Sequence, residues 1–258
     1  MLGMMAGKSG IVTGAAGGIG RATAVALGRE GAAVVVADLA SRQADGEETV
    51  RLVKEAGGKA VFSAADVTRA GDQEALANLA AGSFGSLDFA CNNAGVEYQG
   101  LLAYTPETVW DRVMAVNLKG VWLGLKAQLP RMAAQGSGAI VNVSSLAGLI
   151  GVPSLGAYAA SKHGVIGLTR TAALEYAAQG VRVNAVCPAA IATSLLLDLP
   201  PERQRELAFP QAIKRLGRPD EVAEAVLWLC SDRSSFMTGA AVPVDAGATA
   251  GIALPGES

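Results

Sequence analysis

The chain has 258 residues, of which 51% are hydrophobic and 17% charged, and its 21 basic and 23 acidic side chains leave a net charge of −2. That balance excludes intrinsic disorder and leaves no basic footprint for nucleic acid or an anionic membrane. A chain of this length suits one α/β domain, 1–258, burying roughly 70–75% of its unfolded surface.

Strand-length apolar runs alternate with helical patterns along the whole chain. Gly10–Thr13 reads as a first strand, followed by a glycine cluster and a helix reaching Glu30. Ala33–Ala37 is a second strand, closed by Asp38, and Ser41–Ala56 a polar helix. Ala60–Ala64 is a third strand, closed by Asp66, and Ala70–Ala81 a helix. Leu87–Cys91 is a fourth strand, running into Asn92-Asn93-Ala94-Gly95. Thr105 and Pro106 open a helix predicted to continue to Ala134, because proline in the first helical position loses no needed N–H. Ala139–Val143 is a fifth strand, Tyr158–Ala178 a long alanine-rich helix and Val181–Val186 a sixth strand. Asp220–Leu229 is a helix and Ala240–Val244 a seventh strand. Continuously apolar strands separated by helices imply a parallel sheet covered on both faces. The fold class is therefore a single doubly wound Rossmann-type domain with a seven-stranded parallel sheet. The leucine-rich stretch 189–215, with its Pro200-Pro201 pair, reads as a substrate loop or lid.

Glycine is enriched, 32 of 258 residues or about 12% against a typical ~7%. Cys91, Cys187 and Cys230 are far apart and odd in number, which argues against a disulfide framework or metal site and for a reducing cytoplasm. No signal peptide is expected from residues 1–10. The uncharged run Met132–Ser161 is long enough to cross a bilayer by count. Its five glycines, Pro153 and Asn142 make it strand, loop and helix start instead.

Between the first strand and helix, Gly14, Gly18 and Gly20 follow Gly-x-x-x-Gly-x-Gly spacing. Such a turn lets backbone N–H groups and a helix N-terminus approach a pyrophosphate. Asp38, 18 residues past Gly20, is placed to accept hydrogen bonds from two ribose hydroxyls and to repel a 2′-phosphate. No cation follows it immediately, which favours NAD over NADP. Tyr158 and Lys162 stand at i and i+4 on one helix, so a nearby ammonium can favour the phenolate. Ser145 ends the fifth strand, where doubly wound sheets bind ligands. Ser144 beside it points to the opposite side. Asn117 sits in an apolar helical stretch and needs a water or polar partner.

Thr13–Gly20, Asn92–Gly95, Asn117, Ser145 and Tyr158-Ala-Ala-Ser-Lys162 together resemble the short-chain dehydrogenase/reductase family over nearly the whole chain. The resemblance implies a catalytic tetrad of Asn117, Ser145, Tyr158 and Lys162, and the family's 13-residue serine-to-tyrosine interval selects Ser145 over Ser144. It implies Tyr158 as acid/base and Lys162 as the group that lowers its pKa and holds the nicotinamide ribose. Ser145 would position the substrate oxygen, and Asn117 would hold a water. It further implies cofactor contacts from Gly14, Gly18, Ile19, Gly20, Asp38, Asp66, Val67, Asn93, Gly95, Ile191 and Thr193. The chain departs from the family pattern at Ala189 and Ala246, where glycine is usual. A Cβ at Ala189 is expected to restrict the backbone at the nicotinamide edge. The resemblance also implies a homotetramer assembled through the helices around Asn117 and Tyr158.

His163, Cys91 and Cys187 are read as structural, and Trp110, Trp122 and Trp228 as core or subunit contacts. The leading expectation is an NAD-dependent alcohol dehydrogenase or ketone reductase acting on a small-molecule secondary alcohol or ketone. The alternatives are an NADPH-dependent reductase, a non-catalytic nucleotide-binding regulator, and a racemase or dehydratase that reuses bound NAD. Pocket walls are expected from Leu146–Leu155, Val96–Tyr98 and the lid, whose apolar face would be Ile191, Leu195, Leu196, Leu197, Leu199 and Phe209. That lining suits a cyclic or medium-chain body. Glu97 is placed to meet a second hydroxyl, and Arg203 and Arg205 are expected to face solvent.

Overall fold

The computed structural model describes residues 3–208 and 210–251, the side chain of Leu195 excepted. The strands are β1 (Ser9–Thr13), β2 (Ala33–Asp38), β3 (Lys59–Ala64), β4 (Phe89–Asn92), β5 (Gly138–Val143), β6 (Val181–Pro188) and β7 (Ala241–Val244). They form one seven-stranded sheet in the order β3-β2-β1-β4-β5-β6-β7. Every pairing is parallel. The strand order reverses between β1 and β4, and in such sheets ligands bind outside the carboxyl ends at that point. The register places the ends of β1, β2, β4 and β5 on one edge, with Thr13 opposite Ala37 and Asn92 opposite Asn142.

Helices cover both faces because both faces are apolar. On one side α1 (Gly18–Arg29), α2 (Gln43–Glu55) and α9 (Pro219–Cys230) bury Leu27, Val53 and Leu227 against Val34, Val36 and Phe89. On the other, α3 (Ala70–Phe84), α5 (Gly120–Gln135) and α6 (Gly156–Tyr176) bury Leu76, Leu125 and Val165 against Ile11, Val35 and Ile140. One polar chain crosses this second layer. Asn92 Nδ2 donates to Asn142 Oδ1 (2.9 Å) and Gln128 Oε1 (3.1 Å), and Asn142 Nδ2 donates to Thr169 Oγ1 (2.9 Å). Fully partnered networks of this kind hold a core in one arrangement.

The expected helix from Thr105 to Ala134 is not continuous. It is α4 (Glu107–Met114), a π-helical segment Ala115–Lys119, and then α5. Pro106 lies just outside it as the N-cap. The stretch 189–215 is not a bare loop, since it contains α7 (Ser194–Leu197) and α8 (Pro201–Ala208). All three cysteines are buried. Trp110, Trp122 and Trp228 are 37%, 45% and 39% exposed, which removes the core reading for them. No helix among the described residues is long and apolar enough to cross a membrane.

Of the two glycine departures, Ala189 is harmless. The described non-glycine residues with positive φ are Ser154, Lys214 and Ala246, so the expected restriction at Ala189 does not arise. Its N–H donates to the carbonyl of Val244 at 3.2 Å. Ala246 does carry strain, with φ at 52°. Left-handed backbone costs an alanine about 1–2 kcal/mol, against about 0.5–1 kcal/mol of extra chain entropy for glycine. Ala246→Gly is therefore expected to raise the thermal midpoint by roughly 1–4 °C. A lower midpoint in calorimetry would contradict this account.

Candidate active site

The glycine turn is built so that a side chain would fill it. Gly14 and Gly18 have φ of 64° and 51°. A Cβ on Gly14 would stand 2.9 Å from the Ala94 Cα, and one on Gly20 would stand 2.2 Å from the Gly14 carbonyl oxygen. A Cβ on Gly18 would stand 3.1 Å from Thr193 Cγ2, so the lid segment starts directly over the turn. Helix α1 has no side-chain cap and no acid in its first turn. Its leading N–H groups and positive dipole end therefore remain available to an anion. This cradle fits the pyrophosphate of a dinucleotide.

Asp38 sits at the end of β2 beside that turn. Its Oδ2 accepts the Ala16 N–H (2.9 Å) and its Oδ1 accepts the Leu39 N–H (2.8 Å), which fixes the carboxylate at the mouth of a second pocket. Asp66 and Val67 line the far wall of this pocket. Asp66 Oδ1 accepts from the Thr68 N–H and hydroxyl (2.9 and 2.8 Å), which holds its carboxyl below the usual range. Arg42 also lines this pocket, although attention to the residues next to Asp38 misses it. A 3-10 turn, Ala40–Arg42, brings the guanidinium back toward Gly17, where it pairs with Asp45 at 2.8 Å. Asn93 donates from Nδ2 to the carbonyls of Thr13 (2.9 Å) and Gly14 (3.1 Å), stapling the end of β4 to the turn.

Ser144 and Ser145 end β5 with opposite roles. Ser144 is buried, and its hydroxyl donates to the Lys162 carbonyl at 2.9 Å. Ser145 Oγ accepts the Ala147 N–H at 3.1 Å, which leaves its own hydrogen to donate into the pocket. One wall of that pocket is formed by Ser145, Tyr158 and Lys162. Lys162 is 3% exposed, and its ammonium donates to the Val143 carbonyl at 2.8 Å and lies 5.5 Å from the centre of the Tyr158 ring. Burial pulls Lys162 down to about 8. Burial pushes the Tyr158 hydroxyl up to about 12, against a downward pull from Ser145 and with an upward push from Glu97. In the protein alone, desolvation is the largest influence on the tyrosine and sets its upward direction.

Asn117 lies at the centre of the π segment and is fully buried. Its Oδ1 accepts the Val96 N–H (2.8 Å), and its Nδ2 donates to the Val96 carbonyl (2.9 Å) and Ser161 Oγ (3.1 Å). The amide thus clamps the Gly95–Val96 loop. A Cβ on the neighbouring Gly95 would stand 3.3 Å from Asn117 Oδ1 and 3.5 Å from Lys162 Nζ.

The pocket holds about 380 Å³. Val152, Leu155 and Leu146 form one apolar side, and Ile191, Leu196, Leu207 and Pro210 the lid side. Leu207, Pro210 and Glu206 fall in the stretch expected to supply a wall, though not among its named apolar residues. Leu197 instead points outward at 56% exposure, Leu199 is off the pocket wall, and Phe209 and the Leu195 side chain lie outside the described residues. Tyr98 packs on Gly100 and is off the pocket wall, where Gln99 stands although it was not expected there. Arg203 and Arg205 are exposed on α8, beside Glu206 and Glu202. His163 is also exposed, its Nδ1 2.9 Å from the Ala159 carbonyl. Burial raises the Cys187 thiol to about 11, which makes it a poor nucleophile.

Comparison with known proteins agrees with this geometry. The family profile described as enoyl-(acyl carrier protein) reductase matches residues 14–249. Cis-4-hydroxycyclohexanecarboxylate dehydrogenase of Sinomonas cyclohexanicum is 46% identical over 241 residues, 93% of this chain and 96% of that protein. Cyclohexanol dehydrogenase of Acinetobacter sp. (strain SE19) is 41% identical, over 92% of this chain and 93% of its own. The crystal structure of levodione reductase superposes with a TM-score of 0.89 at 37% identity, covering 95% of this chain and 99% of that one. On sequence, on topology and on the layout of the cleft, the chain belongs to the short-chain dehydrogenase/reductase family.

Proposed function

We propose that the chain is an NAD-dependent dehydrogenase of cyclic secondary alcohols, which also reduces the corresponding ketones. One observation carries this reading. The pocket holding Ser145, Tyr158 and Lys162 and the pocket beside the glycine cradle share Ile19, Asn93, Gly95, Val96 and Thr193, so the two open into each other. Two of the similar proteins, a hydroxycyclohexanecarboxylate dehydrogenase and a cyclohexanol dehydrogenase, are named for cyclohexane-ring alcohols, which supports the substrate class.

Bound in the cradle, the nicotinamide dinucleotide supplies the hydride acceptor or donor. The Ser145 hydroxyl holds the substrate oxygen, and the Tyr158 hydroxyl exchanges a proton with it. Lys162 contributes a cation behind the tyrosine ring, pinned by Val143. Asn117 holds Val96 at the junction of the two pockets. Helices α7 and α8 cover the pocket with Leu196 and Leu207 and exclude water from the reacting centre.

Asp38 favours NAD, because its carboxylate lies where a 2′-phosphate would bring a second negative charge. Arg42 in the same pocket supports the second reading, an NADPH-dependent reductase. We also infer a homotetramer in a reducing cytoplasm, with the apolar groove of Met114, Leu118, Trp122 and Leu168 as one subunit contact. A monomer in light scattering at micromolar concentration would contradict that assembly.

Tyr158→Phe is expected to lower kcat by roughly 10²–10⁴-fold with NAD affinity retained. The pH profile is asymmetric. Oxidation needs the phenolate of a group pushed up to about 12, so kcat/KM climbs with pH. Above about pH 8 Lys162 loses the charge that favours that phenolate, and the slope falls below about one decade per unit. Reduction uses the protonated hydroxyl and stays level over the same range. A reductive rate rising with pH would count against Tyr158 as the acid. For the cofactor, kcat/KM with NAD is expected to exceed that with NADP by at least about tenfold, about 1.4 kcal/mol of discrimination. Asp38→Ser should close most of that gap, and an NADP preference in the unmodified protein would favour the reductase reading.

A further inference from the structure

Among the described residues three charged side chains line the substrate pocket, namely Lys162, Glu206 and Glu97. Two of them are already engaged. The Lys162 ammonium is buried and donates to the Val143 carbonyl, and Glu206 is paired with Arg203 on α8. Glu97 differs. It is exposed on the loop after β4, directly after the residue clamped by Asn117. No cation among the described residues lies within ion-pair distance of it. Its one hydrogen bond among those residues comes from Gln99 Nε2 to Oε1, at 2.9 Å. The second carboxylate oxygen is left to accept from whatever occupies the pocket.

We infer that Glu97 selects the substrate: a cyclic secondary alcohol bearing a second, neutral hydroxyl, with carboxylate-bearing alcohols rejected. This inference rests on the dehydrogenase reading above. The physical reasons are two. A carboxylate accepts a hydroxyl hydrogen in a charge-assisted bond, which is stronger than a bond between neutral groups. The same charge opposes any substrate anion in a cleft whose one cation among the described residues, Lys162, is buried and turned to the Val143 carbonyl. The apolar walls at Val152, Leu155, Leu196 and Leu207 accept the ring carbons but supply no donor or acceptor of their own. Glu97 is also close enough to the reacting centre for its charge to be felt at both Tyr158 and Lys162.

The test compares kcat/KM for cyclohexanol, the 1,2- and 1,4-cyclohexanediols and 4-hydroxycyclohexanecarboxylate. It uses the unmodified enzyme, Glu97→Gln and Glu97→Leu, with NAD and NADP both supplied. Ratios to cyclohexanol remove any general loss of rate, and thermal midpoints confirm that the exposed position has not cost folding. In the unmodified enzyme at least one diol should exceed cyclohexanol by about tenfold, and the hydroxycarboxylate should fall below it by a similar factor. Glu97→Gln should raise the hydroxycarboxylate ratio about tenfold, and Glu97→Leu should bring the diol ratio to near one. Unchanged ratios in both variants, or a movement in only one of the two ratios, would overturn the inference while leaving the dehydrogenase reading intact. Failure of the unmodified enzyme to turn over any cyclic alcohol with either cofactor would overturn both.

Discussion

Two hydrogen bonds lock helix α6 onto the end of β5, and the geometry of the cleft depends on them. Lys162 Nζ donates to the Val143 carbonyl at 2.8 Å, and Ser144 Oγ donates to the Lys162 carbonyl at 2.9 Å. The first uses a buried ammonium, which is tolerated only because it is hydrogen-bonded. The second uses Ser144, whose hydroxyl turns to the helix backbone. Together they set the rotation and height of α6 against the strand, which brings Tyr158, one turn earlier, to the same pocket wall as Ser145. A helix free to slide by one residue would separate those hydroxyls.

The opposite wall is set by a second clamp of a different kind. Asn117 reaches Val96 with both ends of its amide, and it does so from a π-helical segment in an otherwise α-helical run. Such segments are rare and occur frequently at functional sites. The extra residue re-aims the side chain without ending the helix. Asn93 ties the same loop to Thr13 and Gly14. The loop after β4 is thus held from the glycine turn on one side and from the π segment on the other, and Glu97 follows directly from it.

The sheet and its helices were legible because their signals are local. Continuous apolar runs such as Ala33–Ala37 and Val181–Val186 admit little besides a buried parallel strand, and the Gly14, Gly18 and Gly20 spacing marks the turn between β1 and α1. The tetrad positions were legible through the family pattern, since Tyr158 and Lys162 alone would pass for a surface pair. What was not legible depends on tertiary packing. Nothing in Ala115–Lys119 announces a π segment. The engagement of Asn117 depends on a loop 21 residues away. Arg42 enters the Asp38 pocket only after a 3-10 turn, and Leu207 faces the substrate cleft only because α8 forms and folds back. Spacing reveals Lys162 as a charged neighbour of Tyr158 but not the loss of water around the hydroxyl, which pushes it upward.

The burial of all three cysteines has a practical side. The chain's thiols are Cys91, Cys187 and Cys230, and each lies inside the described structure. The folded protein therefore presents an outer surface that is silent toward thiol-directed reagents. A single exchange at an outward position beside the cleft, such as Leu197→Cys, would put one reactive handle on α7 and none elsewhere. A fluorophore attached there would report the surroundings of α7 at the rim of the cleft with no signal from the native thiols.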